Sequence, residues 1–464
     1  MLNKHYLQNK CVLKSNQQGA ALIAMMAILV ILLTTVSIQF FNRSNLKNLK
    51  TQKTQQALAL AKQALLAYAA EEITGKANGV LLTCNLNCPR PGDLPCPDRD
   101  NDGDAEVNCS ANQGFRLGRL PWKTLGIDDL RDGSGERLWY AVSNNYKNNT
   151  RVLPLNSETL GTISLRSVDG NLLNDASNTT GLVAVIIAPN EVLTRTDNLQ
   201  QNRELQNIND AKHFLDIAFG EDNATFVENT TDGFISGIVK QNNNIVINDI
   251  IMPITKEEMN AVIEPRVLVE VMQAILYGFC PDKVNIKSRS CSGVTSYDFF
   301  PDPALSSDSS CLSNSLISNS ACNSDSGTLL GRIPVGGNAN WEVKDVNSIL
   351  RGQAENNWFQ QNGWRELIFY ARAPACNEAN KNCTGSGYLT LNNAITPTNA
   401  SSPYNKKVVL ISAGNALSTQ ARTDNTNKTL TSNYLEEENI SPLDSIFIRY
   451  KRDESKNDRI LSIP

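Results

Sequence analysis

The chain has 464 residues, 43 of them basic and 47 acidic, with two histidines and eleven cysteines. Apolar residues make up 41% and all five tryptophans follow residue 120, which supplies a core for one long or two ordinary domains and excludes wholesale disorder. A formal charge of −4 without a basic run in the body of the chain argues against nucleic acid, and two histidines argue against His-rich metal chemistry.

Lys4, Lys10 and Lys14 precede a lone glycine, Gly19, and no acidic residue stands before it. Removing residues 1–19 leaves 40 basic and 47 acidic residues, a charge of −7. From Ala20 to Phe41 there is no charge. These residues as a helix would span about 33 Å at about 1.5 Å each, enough to cross a bilayer. The flanking lysines predict a cytoplasmic N-terminus and export of the rest. Beyond the span, Ala57, Ala61, Ala64, Leu65 and Tyr68 recur at helical spacing among Lys and Gln. No proline or glycine interrupts residues 20–74, so one long helix is expected, apolar in its first half and amphipathic in its second.

The leader ending at Gly19, Leu22-Ile23 at the third and fourth positions after it, and the two-part helix resemble the type IV pilin and pseudopilin family. The resemblance covers residues 14–72. It implies cleavage after Gly19 by a prepilin peptidase and methylation of Ala20. It implies as partners other pilin or pseudopilin subunits, an inner-membrane assembly platform and the membrane itself. The expected location is the inner membrane, single-pass with the C-terminal part periplasmic, or a periplasmic or cell-surface filament. Two positions depart from the family: Ala20 replaces the usual Phe, and Ala24 replaces the usual Glu at the fifth position. A buried terminal amine is costly unless a carboxylate pairs with it. A subunit without that carboxylate suits a filament tip, where no subunit above presents its amine, and the family's minor tip subunits also lack it.

Ten cysteines follow Gly19: Cys84, Cys88, Cys96, Cys109, Cys280, Cys291, Cys311, Cys322, Cys376 and Cys383. An even set beyond a membrane segment favours disulfides, and zinc lacks a CxxC pair. Cys84–Cys88 and Cys376–Cys383 are close enough to close small loops, and the pairing stays open.

The acidic stretch CPDRDNDGDAE places Asp98, Asp100, Asp102, Asp104 and Glu106 around Gly103. Asp98, Asp100 and Asp102 match the first, third and fifth positions of a calcium loop whose glycine makes the turn. The twelfth position is Cys109, where a bidentate glutamate is expected. Completion by Asp128, Asp129 or Asp132 is possible after a fold-back, and calcium is the expected cofactor.

The remaining sequence repeats itself in order. QALLAY, LPCPD, LGRLP, RLWYA, VAVIIAPNEVLTRTDN and NDIIMPI are followed by QAILYG, FCPD, LGRIP, LIFYA, VVLISAGNAL with ARTDN, and NDRILSI. The predicted organisation is a leader (1–19), a transmembrane or filament-core helix (20–43), a first module (44–265) and a second (266–464). The second carries a Ser/Cys-rich insertion at 285–327. A linker is expected at IMPITKEEMNAVIEPR, with the second helix cut short by Pro265. The fold expected is α+β: one long N-terminal helix, half transmembrane and half amphipathic, with two tandem pilin-like antiparallel-sheet modules.

No GxSxG, phosphate-binding or dinucleotide motif occurs. His213 reads as a surface or packing residue, and Glu436-Glu437-Glu438 as a solvated charge run. These readings predict a non-enzymatic minor pilin or pseudopilin, acting in assembly or at the tip of a type IV pilus or type II secretion filament. A membrane-anchored adhesin outside any filament is the alternative.

Overall fold

A computed structural model describes residues 46–71, 76–77, 80–81, 90–109, 116–148, 152, 154–226, 233–279, 284–285, 290–291, 300–312, 322–334, 358–377, 386–393, 406–442, 445–453 and 455–463. Gly19, Ala20 and the apolar segment Ala20–Phe41 lie outside these residues, as do Cys84, Cys88, Cys280 and Cys383.

The frame is two four-stranded antiparallel sheets. In the first, β1 (Leu117–Arg119), β2 (Trp139–Val142), β3 (Ala184–Ala188) and β4 (Ile250–Ile254) lie side by side in chain order. In the second, β5 (Leu330–Arg332), β6 (Ile368–Arg372), β7 (Val408–Ser412) and β8 (Arg459–Ile463) do the same. The registers correspond residue for residue. Gly118 faces Tyr140, Tyr140 faces Ile186 and Ile186 faces Met252, while Gly331 faces Tyr370, Tyr370 faces Leu410 and Leu410 faces Leu461. The central strands are buried at every position, which is why they read as continuous apolar runs rather than as alternation.

Helix α1, residues 46–71, buries Ala57, Leu58, Ala61, Leu65 and Ala69 along one stripe. Helix α2 (Lys256–Phe279) begins directly after β4. Thr255 and Glu258 close a reciprocal cap, with Glu258 N–H donating to Thr255 Oγ1 at 3.2 Å and Thr255 N–H donating to Glu258 Oε2 at 3.0 Å. The expected linker is therefore strand, cap and helix. Pro265 lies inside α2 and does not end it. An interior proline costs about 3 kcal/mol. Met259, Ile263, Val267, Leu268, Val271, Met272, Ile275 and Leu276 are all buried, each contributing about 1.5–3 kcal/mol, so packing outweighs the lost hydrogen bond.

The expected fold is corrected in two respects. The N-terminal helix is short as described, and most other elements are single-turn helices or small sheets of two to four strands. The two copies are also not tandem heads, because α1, α2, one face of the first sheet and the central strands of the second share a single hydrophobic core. Polar contacts join the copies as well. Asn362 Oδ1 accepts from Arg90 Nη1 at 2.9 Å and from Leu155 N–H at 2.9 Å, and Arg422 pairs with Glu158 at 3.0 Å.

The expected single-pass inner-membrane position with a periplasmic C-terminal part is corrected too. Among the described residues no helix is long and apolar enough to cross a membrane. Helix α1 carries Lys47, Lys50, Lys53, Lys62 and Glu71, and α2 carries Lys256, Glu257, Glu258, Glu264, Arg266 and Glu270. Each charge would be costly in hydrocarbon.

Candidate functional site

Strand β1 positions the acidic loop. Asp98 pairs with Arg119 across the sheet edge, N–H to carbonyl in both directions at 3.0 and 2.5 Å. The strands can approach only because Gly118 has no side chain; a Cβ there would strike the Asp98 carbonyl oxygen. A disulfide between Cys96 and Cys109, with Cα atoms 5.7 Å apart, closes the loop at both ends.

Inside that ring the chain wraps around Asp98. Its buried carboxylate accepts from Asn101 N–H at 2.6 Å and from Gly103 N–H at 2.8 Å. Gly103 has φ of +94°, and a Cβ there would meet the Trp122 ring, so glycine is required twice over. Asp100 accepts from Asp102 N–H at 3.2 Å, and Asp102 from Asp104 N–H at 2.8 Å. Carboxylate oxygens of Asp98, Asp100 and Asp102 converge to within 4.8 Å of one another. Burial pushes the Asp98 carboxyl above its ordinary value, and the nearby Asp102 and Asp100 charges add to this, while the two backbone N–H groups oppose it.

The other expected ligands separate. Asp104 turns to Lys123 at 3.6 Å, and Glu106 accepts from Arg99 N–H at 3.2 Å. Two of the three candidates for fold-back are used elsewhere. Asp129 pairs with Arg131 and Arg137, and Asp132 accepts from the N–H groups of Ser134, Glu136 and Asn190. Beside the loop lies a cavity of about 410 Å3, lined by Asp98, Asp100 and Glu106 on one side and by Arg119, Trp139 and Ile208 on the other.

Among the described residues the second copy does not reproduce this loop, and its counterpart is not where the sequence match suggested. Tyr140 donates its hydroxyl to the Pro95 carbonyl at 3.2 Å, and Tyr370 donates to Pro301 at 3.0 Å. Ala304 pairs with Arg332 as Asp98 pairs with Arg119. The equivalent of Pro95–Asp98 is thus Pro301–Ala304, with an alanine at the key carboxylate, and residues 280–282 of the expected FCPD match lie outside the described residues. A second disulfide, Cys311–Cys322 with Cα atoms 4.8 Å apart, closes the segment that follows, and Cys376 is disulfide-bonded as well.

Two further constellations escaped the sequence reading. Arg119 lies between the Trp139 and Phe214 rings at 4.2 and 4.0 Å, and Arg332 lies between Phe369 and Tyr434 at 4.0 and 4.4 Å. The repeated LGR tripeptide was their visible signal. Glu436, expected in a solvated run, is instead buried against Asp458. His213 is a packing residue, its Nδ1 accepting from Asn202 N–H at 3.0 Å.

No protein-family model, no curated protein and no solved structure matches the chain.

Proposed function

We propose that the chain is a minor pilin- or pseudopilin-type subunit, processed after Gly19 by a prepilin peptidase and acting in filament assembly or at a filament tip. The observation that supports this reading best is the doubled helix-and-sheet unit. A helix with a small-residue stripe, Ala57, Ala61 and Ala69, packs into a core built on antiparallel sheet, and the arrangement recurs with α2. The sequence before α1 holds the Gly19-Ala20 junction, and Ala24 stands where a body subunit would carry glutamate. A double-sheet body is too bulky to stack along a filament, which favours the tip. The acidic loop serves this subunit as a calcium site, with Asp98, Asp100 and Asp102 as its carboxylate ligands.

The decisive experiment is mass spectrometry of the mature N-terminus after co-expression with a prepilin peptidase. A chain beginning at methylated Ala20 is expected. A chain still beginning at Met1 in cells that process a control pilin would overturn the proposal.

A further inference from the structure

Each copy buries two carboxyl groups side by side at the same place in the fold. In the first copy Asp216 follows the one-turn helix Ala211–His213, and Asp249 immediately precedes β4. In the second, Glu436 follows the one-turn helix Thr431–Asn433, and Asp458 immediately precedes β8. All four are buried, with exposures of 0, 0, 6 and 2%.

The cradle is the same twice. The N–H of the first acid donates to the second, Asp216 to Asp249 Oδ2 at 2.8 Å and Glu436 to Asp458 Oδ2 at 3.2 Å. The asparagine before the second acid returns its N–H to the first, Asn248 to Asp216 Oδ2 at 2.8 Å and Asn457 to Glu436 Oε2 at 3.2 Å. A side-chain amide serves each acid. Gln201 and Gln420 donate to Asp216 and Glu436 at 2.9 and 3.2 Å, and Asn223 and Asn439 donate to Asp249 and Asp458 at 2.9 and 3.1 Å. In both copies the remaining oxygen of the second acid, Oδ1 of Asp249 and of Asp458, is buried and meets no donor among the described residues.

The cations nearby are committed to other groups. Arg203 bonds the Asn190 carbonyl and pairs with Glu136, and its charge reaches Asp216 and Asp249 only at a distance. Arg195 bonds the Leu215 carbonyl, Asp197 and Asp222. In the second copy Arg422 bonds Gln420 and pairs with Glu158, and Lys456 pairs with Glu437. Among the described residues none of the four buried carboxyls makes an ion pair. Two adjacent charges without a counter-ion would be prohibitively costly there, and a proton removes one of them.

We propose that each copy contains a proton-binding site, in which one proton held by Asp216–Asp249 and one held by Glu436–Asp458 act as structural ligands of the fold at neutral pH. The proton sits on the donor-less oxygen of Asp249 or Asp458, and its partner keeps its negative charge among the N–H donors. Raising the pH returns that proton to water and leaves two neighbouring buried anions without a counter-ion. Burial first, and the partner's charge second, push Asp249 and Asp458 well above the ordinary carboxyl range; burial raises Glu436 too, and Asp216 to about 6. Because the folded values are raised, the stabilisation is complete below the unfolded carboxyl value near about 4 and is lost as pH rises through the folded values.

The test is thermal unfolding of the full chain from about pH 5 to about pH 9, comparing wild type with Asp249→Asn, Asp458→Asn and the double variant. Wild-type Tm should fall across this range. Each single variant should remove part of the fall and the double variant most of it, ending above wild type at the alkaline end. A double variant as steep as wild type would refute the proposal. Infrared spectra of the unmutated protein in heavy water at neutral pH provide a check independent of variant folding. Protonated-carboxyl carbonyl bands should be present there, and their absence would equally refute it.

Discussion

The two copies agree in their skeleton and differ at one edge. Both stack a buried arginine between two rings, tie a buried tyrosine to a proline carbonyl and set a carboxyl pair before the last strand. At the edge beside the arginine, the first copy has Asp98 in a ring of acids and the second has Ala304. What recurs without the acidic loop serves the fold, since the second sheet forms without that loop. What occurs once, the convergent Asp98, Asp100 and Asp102, is where specialised chemistry is to be sought.

The sharpest way to break this comparison is to remove the shared arginines. Arg119→Ala and Arg332→Ala each strip a guanidinium from two rings and leave carbonyls of Arg137 and Ile208, or of Glu366 and Lys428, without their donor. Each should cost on the order of 3–4 kcal/mol in denaturant unfolding. A large loss in one copy and none in the other would end the claim of a common skeleton.

The disulfides come next. Replacing Cys96 and Cys109 by serine, or Cys311 and Cys322, should cost about 3 kcal/mol for loops of this length. Only the first replacement should also abolish a calcium response, as read by calcium-dependent Tm.

Calcium itself should stabilise the wild type by about 2.7 kcal/mol at a hundredfold excess over Kd. The triple substitution Asp98→Asn, Asp100→Asn and Asp102→Asn should erase this, and Ala304→Asp should not create it in the second copy. The raised Asp98 carboxyl adds a sign. Protons compete with the cation there, so calcium protection should weaken as pH falls through the folded Asp98 value. Protection that is unchanged by the triple substitution would remove the loop from the functional reading.

The smallest effect separates two matched hydrogen bonds. Tyr140→Phe and Tyr370→Phe each lose one buried bond to a proline carbonyl and should each cost about 1 kcal/mol by urea unfolding. Equal losses sharpen the correspondence of Pro95 with Pro301.

Much of the strand frame was legible in the sequence. WYA with FYA and AVIIA with VVLIS are short, apolar and bounded by turn residues, and LGR recurs in order before them, so local composition identified the runs as equivalent. The acidic loop was equally legible, because Gly103 and the alternating aspartates bond mainly to their own neighbours. The match of LPCPD with FCPD was misleading, because three shared letters outweighed the pairing that sets Ala304 against Arg332 of β5. Pro265 misled as a helix stop, since propensity ignores the eight apolar side chains that hold α2 together.

By itself the sequence determined what depends on near neighbours: the order of the repeat, the strand runs and the wrapped loop. Only the tertiary structure decided what depends on distant surfaces meeting. It merged the two copies into one core, turned Glu436 from an expected surface charge into half of a buried pair, and gave the acidic edge to one sheet alone. Burial and desolvation are set by the neighbours a residue acquires in the fold, and those neighbours are scattered along the chain.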